Sequence, residues 1–328
     1  MNQRRSSGKL LASLSVCLLL VGIALATVYY QVPLRDWVRV QQFQPAAAVV
    51  ALASEAGMND HGRYMFYTGA PTLETASAFN AACGDHEHST ATLGCYTGER
   101  IYLYDIDNAE LHGVEQVTAA HEMLHAAYDR LSTDEKRRVN SAIARYLPTL
   151  QADQQFVERM SVYDKLSEAD RLNELHSILG TEVKQLSPEL EAHYRQYFAD
   201  RSVVTGLYAT YSGVFATLKA RADTLVGEYE RLVTERNQRV SASNAEYEQL
   251  QRDMKAFEQG PRTDAALAAR LNARASSFNA RLSEVKSRVA VIDARLIAIK
   301  AELEGIEVHT KALSDSLDSS LAAPAGGV

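Results

Sequence analysis

From Leu271 to Leu313 an apolar residue returns at every seventh position: Leu271, Phe278, Val285, Ile292, Ile299, Ile306 and Leu313. Leu282, Val289, Leu296 and Leu303 form a companion row four residues on. A seven-residue repeat this long suits a helix that buries one seam against another helix, not the two-residue period of a strand. The stretch before it has the same character with a break. Leu218, Leu225 and Leu232 make one row, and Val240, Tyr247 and Met254 resume it in shifted phase, the mark of a stutter. Pro261, beside Gly260, is the sole proline between Leu207 and Leu321 and predicts the turn between two antiparallel helices. Residues 204–321 are therefore expected to form a coiled-coil helical hairpin, suited to self-association or to a partner protein, with 322–328 as a disordered tail.

The preceding part reads differently. Ala46–Ala56 suits a helix stopped by Gly57, and Thr75–Ala82 suits another. Ile101-Tyr102-Leu103-Tyr104 is rich in strand formers. Beyond Gly113 the pattern is helical: Val114–Leu131, then Thr133–Tyr146 opened by a Ser132/Glu135 capping box. Ser167–Leu179 is bounded by Gly180, and a further helix starts at Ser187-Pro188. The expected fold class is mainly α, with an α+β part carrying a small sheet in residues 31–203.

Arg4, Arg5 and Lys9 precede an uncharged run of 21 residues, Leu10 to Tyr30. That length spans a bilayer core, and the basic flank places residues 1–9 inside and the bulk of the chain outside the cytoplasm. A cleaved signal peptide is the competing reading, since Ala24-Leu25-Ala26 is a suitable cleavage site. Val16 before Cys17 speaks against lipidation. Cys83 and Cys95, the other two of three cysteines, suit a disulfide in that compartment. A net charge of −7 without a dense basic tract argues against nucleic-acid binding.

The chemistry-bearing motif is His121-Glu122-Met123-Leu124-His125. On a helix His121 and His125 lie one turn apart and can reach one metal. Glu122 is offset by about 100° around the axis, where it can meet a water on the metal without becoming a ligand. A catalytic zinc needs three protein ligands and one open position, so a further residue is required. From Thr118 to Ala127 the residues around the three motif side chains are uncharged. This resembles the extended signature of the zincin metallopeptidases, with Thr118 in the place commonly held by Val or Thr. The metzincin continuation is missing, because His125 leads into Ala126-Ala127-Tyr128-Asp129-Arg130 without another histidine.

Leu172-Asn173-Glu174-Leu175-His176-Ser177 is similar to the gluzincin pattern, in which a downstream helix supplies a glutamate. That resemblance makes Glu174 the preferred third ligand of one Zn2+, with Glu182 and His176 as alternatives. It covers roughly residues 114–180. Ile178 departs from it, since thermolysin-like members carry an Asp there to orient a ligand histidine. Asp129, Asp170 or a backbone carbonyl is expected to fill that role. The resemblance also implies an oxyanion-stabilising Tyr or His, for which His193, Tyr194 and Tyr197 are candidates. It further implies a substrate-pairing edge strand, for which Ile101–Tyr104 lies in the right chain order.

The expected protein is a membrane-anchored, extracytoplasmic zinc peptidase acting on a peptide or protein substrate, with Glu122 as general base. Two readings compete with it. One is a catalytically silent, membrane-tethered coiled-coil scaffold with a metal-binding domain. The other is a zinc hydrolase acting on a non-peptide bond.

Overall fold

A computed structural model describes residues 31–84, 93–261 and 264–320. The predicted spanning run 10–30 lies outside the described residues, and no helix within them is long and apolar enough to cross a membrane. The chain divides into two compact units, Met1–Ser212 with Asp315–Val328, and Gly213–Ser314.

The first unit is mainly helical around a small sheet. Residues 31–42 are helical. They are followed by α1 (Ala47–Glu55), α2 (Asp60–Thr68), β1 (Thr72–Glu74), α3 (Ala76–Cys83), β2 (Gly94–Tyr96) and β3 (Ile101–Tyr104). Then come α4 (Val114–Arg130), α5 (Thr133–Tyr146), α6 (Gln154–Ser161), α7 (Glu168–Thr181) and α8 (Pro188–Tyr194). The start of α9 (Arg201–Gln259) completes the set.

Local chemistry explains most of the boundaries. Ser132 and Glu135 make the reciprocal capping box at the start of α5. Ser187 accepts from the Leu190 N–H ahead of Pro188. Gly57 leaves α1 with φ +72°, a conformation that costs a side chain little only in glycine. Gly180 departs from expectation: it does not end its helix, and α7 runs on to Thr181. A Cβ added there would lie 2.3 Å from Leu124 Cδ1 and 2.8 Å from Tyr194 Cε1, so the glycine serves close packing instead.

Helix α4 forms the centre of the core. Ala119, Ala120, Met123, Leu124 and Ala126 are fully buried. Helix α7 packs on it antiparallel, with Gly180 against Leu124 and His176 against Tyr128. The sheet order is β1-β3-β2, with β1 parallel and β2 antiparallel to β3. Ile101–Tyr104 is thus a strand, but a central one with both edges paired. This corrects the expectation that it would offer an edge to a substrate; β2 is the edge strand on that side. The Cys83–Cys95 disulfide ties β2 to α3 (S–S 2.01 Å).

Segment 31–42 is fastened by a buried ion pair. Arg130, at the end of α4, donates from Nε to Asp36 Oδ2 (2.7 Å) and from Nη2 to Asp36 Oδ1 (3.1 Å). Its Nη1 reaches Tyr96 Oη (3.0 Å) and the Ala126 carbonyl (2.8 Å). Arg39 adds bonds to the carbonyls of Thr68 (3.0 Å) and Glu99 (2.7 Å).

The second unit comprises the remainder of α9 paired antiparallel with most of α10 (Ala265–Ser316). Arg221–Glu302, Glu228–Arg295 and Glu235–Arg288 form a ladder that steps seven residues on each helix. Between them Leu225, Leu232, Ile292 and Ile299 are buried. Glu246–Arg281 and Asp253–Arg274 continue the ladder. From Glu235 to Glu246 is eleven residues on α9, while Arg288 to Arg281 is seven on α10. The stutter read from the apolar rows is therefore four extra residues in one helix. The resumed row is not the one expected: Tyr247 and Met254 are exposed, and Leu250 is the buried residue. Beyond the hairpin the chain returns to the first unit, where Asn108 donates to Ser316 Oγ (3.0 Å) and Asn80 to the Ser319 carbonyl (2.8 Å).

The Asp36–Arg130 side chains are 5% and 9% exposed. Replacing Asp36 by Ala leaves a buried guanidinium without its carboxylate, a change that costs about 3 kcal/mol. Urea denaturation of Asp36→Ala is expected to show a lowered midpoint at unchanged slope.

Candidate metal centre

His121 and His125 project from one face of α4, their rings edge-on with centroids 4.8 Å apart. Glu174 reaches them from α7. Its Oε2 lies 3.5 Å from His121 Nε2 and its Oε1 lies 3.4 Å from His125 Nε2. Within this group the potential ligand atoms all lie within 4.8 Å of one another. Ligands about 2.0–2.1 Å from a tetrahedral metal are separated by about 3.3 Å, so these three can hold one metal ion. Of the three candidates for the third position, the structure places Glu174 in the group.

The other two are engaged elsewhere. Glu182 lines the same cleft, but its carboxylate faces Arg159 at 3.0 Å. His176 is fully buried, with Nε2 2.8 Å from His193 Nε2. Two helical positions separate Glu174 from His176, which turns them about 200° apart. Helix α8 packs on the His176 side. That explains why His193, Tyr194 and Tyr197 are not among the residues lining the cleft at the metal group. Tyr194 donates to the His176 carbonyl (2.7 Å), and Tyr197 stacks on His61. The expectation of oxyanion stabilisers among them is corrected: they are packing residues.

Asn173 fills the orienting role that Ile178 leaves open for one histidine. Its Oδ1 lies 3.0 Å from His125 Nδ1. Accepting the Nδ1 proton there leaves the Nε2 lone pair directed toward Glu174. Asp129 and Asp170 line the cleft without this contact. The Asn-Glu pair was visible in the sequence, but its use as an orienter depends on how α7 is turned against α4.

Glu122 is 5% exposed and lies beneath β2. Its carboxylate takes a hydrogen bond from the Tyr96 backbone N–H. A Cβ at Gly94 would lie 2.6 Å from Thr118 Cγ2 and 2.8 Å from Glu122 Cγ, so only glycine lets the strand cross here. Burial raises the Glu122 carboxyl to about 7, with the charge of His121 opposing. Burial would lower His121, but the hydrogen bond and charge of Glu174 outweigh it and lift the imidazole to about 9. Burial, aided by the charge of His121, drops His125 to about 4.

The cleft over these groups has a volume of about 410 Å³. Tyr163 and Tyr211 also line it, and burial raises both phenols, so they stay O–H donors. Neither was singled out in the sequence, where they stand far from the motif in ordinary helical surroundings. Comparison with known protein families, curated proteins and solved structures finds no match to this chain.

Two measurements check this centre. His121 must lose its proton before it can bind a metal. Affinity is therefore expected to rise about tenfold per pH unit below about 9 and to level off above it. Competition with a chromophoric chelator across that range reads the slope. Asn173→Ala is expected to weaken metal binding about 10–100-fold in the same assay.

Proposed function

We propose that the chain is a zinc-dependent peptidase, a divergent relative of the gluzincins, anchored outside the cytoplasm by residues 10–30. The observation that carries this reading is the adjacency of a two-histidine, one-glutamate group to a separate buried carboxylate, Glu122, in one cleft. Zinc suits this nitrogen and oxygen donor set, and when bound it polarises a carbonyl and acidifies a water. The uncharged run and the Cys83–Cys95 disulfide support a location beyond the membrane in an oxidising compartment.

The chain's own residues divide the work. His121, His125 and Glu174 hold the ion, and Asn173 fixes the tautomer of His125. Glu122, with its carboxyl raised to about 7, takes a proton from the attacking water and passes it to the leaving amine. Tyr163 and Tyr211 offer O–H donors toward charge that develops on the carbonyl oxygen. The edge strand β2, with Tyr96 on the cleft wall, suits an extended substrate backbone.

Glu122→Gln is expected to abolish cleavage of a peptide library while retaining about one zinc per chain. Cleavage that survives in the purified variant overturns the mechanism. Zinc bound at that stoichiometry by a wild-type chain that cleaves nothing favours the scaffold reading.

A further inference from the structure

Segment 31–42 buries a charged residue while it leaves several large apolar ones exposed. The residue it buries is charged: Asp36 is 3% exposed and bound to Arg130. Beside the exposed Gln31, Arg35, Gln41 and Gln42 it shows large apolar residues to solvent: Leu34 is 60% exposed, Trp37 56% and Val38 37%. Leu34 and Val38 lie one turn apart on the same face, and Asp36 is about 200° from each. Trp37 lies beside them. A contiguous apolar face turned outward marks a surface with another occupant.

The sequence indicates which occupant. The face begins directly after the uncharged run Leu10–Tyr30. A tryptophan with aliphatic neighbours, at the end of such a run, suits the boundary between lipid headgroups and acyl chains. We infer that the Leu34–Trp37–Val38 face of segment 31–42 lies on the bilayer surface, where it seats the first unit against the membrane. This rests on reading residues 10–30 as a membrane segment. The Arg130 bonds to Asp36 and Tyr96 join that seat to the cleft, since Tyr96 lines it. The substrates this arrangement favours are chains held close to a lipid surface.

Trp37 is the sole tryptophan and therefore reports on its own position. The full chain is reconstituted in phosphatidylcholine–phosphatidylglycerol vesicles, with or without lipids brominated near the top of the acyl chains. The expected result is a blue-shifted Trp37 emission quenched about twofold by the brominated lipid and shielded from acrylamide. The double variant L34K/V38K, changed only at exposed positions, is expected to float with the vesicles but lose that quenching. Floating chains in which Trp37 stays open to acrylamide and untouched by bromine overturn the seat and leave the anchor standing. Chains that do not float overturn the anchor and the seat together. Shielding from acrylamide without bromine quenching means that protein covers the face. It is a second copy if the shielding vanishes when vesicles hold single chains, and the chain's own residues if it persists. Either result overturns the inference.

Discussion

The close approach of α4 and α7 is the constraint on which the candidate centre depends. Leu124 stands between Glu122 and His125 on α4, and its Cδ1 occupies the space that a side chain at residue 180 would need. With glycine at that position the helices come near enough for one carboxylate, Glu174, six residues back along α7, to reach both imidazoles. The same contact turns Asn173 toward His125 and His176 toward α8. Candidate ligand, orienter and packing histidine are thus three outcomes of a single helix rotation.

The sequence disclosed what is local. Two histidines at a four-residue spacing share a face in any helix, so His121 and His125 were legible as a pair before any fold was known. Ser132/Glu135 and Ser187-Pro188 announced their helix starts because capping is settled within a few residues. What the sequence did not disclose is which side of each element meets which neighbour. Gly180 read as a stop because glycine is a poor helix former, yet tertiary packing rewarded its missing side chain. His193, Tyr194 and Tyr197 read as site residues because they are polar aromatics downstream of Glu174. His193 and Tyr194 pack against the far face of α7 at His176, a fact fixed only by the packing of α8. Tyr163 and Tyr211 escaped notice for the same reason, and so did the use of Asn173 as an orienter.

The helical hairpin follows the same division. Its heptads were legible because a seven-residue period is a property of one strand of sequence, and even the phase break near Val240 could be seen. Which residues stay in the seam after the break could not. Four extra residues on α9 rotate its register against α10, so Leu250 replaces Tyr247 and Met254 in the buried row. The ion-pair ladder records that shift independently, since its rungs step evenly on both sides of the break and unevenly across it.

The Cys83–Cys95 bond has a consequence for the wall of the cleft. Cys95 stands between Gly94, which crosses Glu122, and Tyr96, whose N–H binds it. A strand of three residues at the edge of a three-stranded sheet has little stability of its own. Pairing the two cysteines fixes this strand to α3, and with it the wall over Glu122. The same covalent bond that joins two separate segments of chain therefore also braces the wall of the cleft.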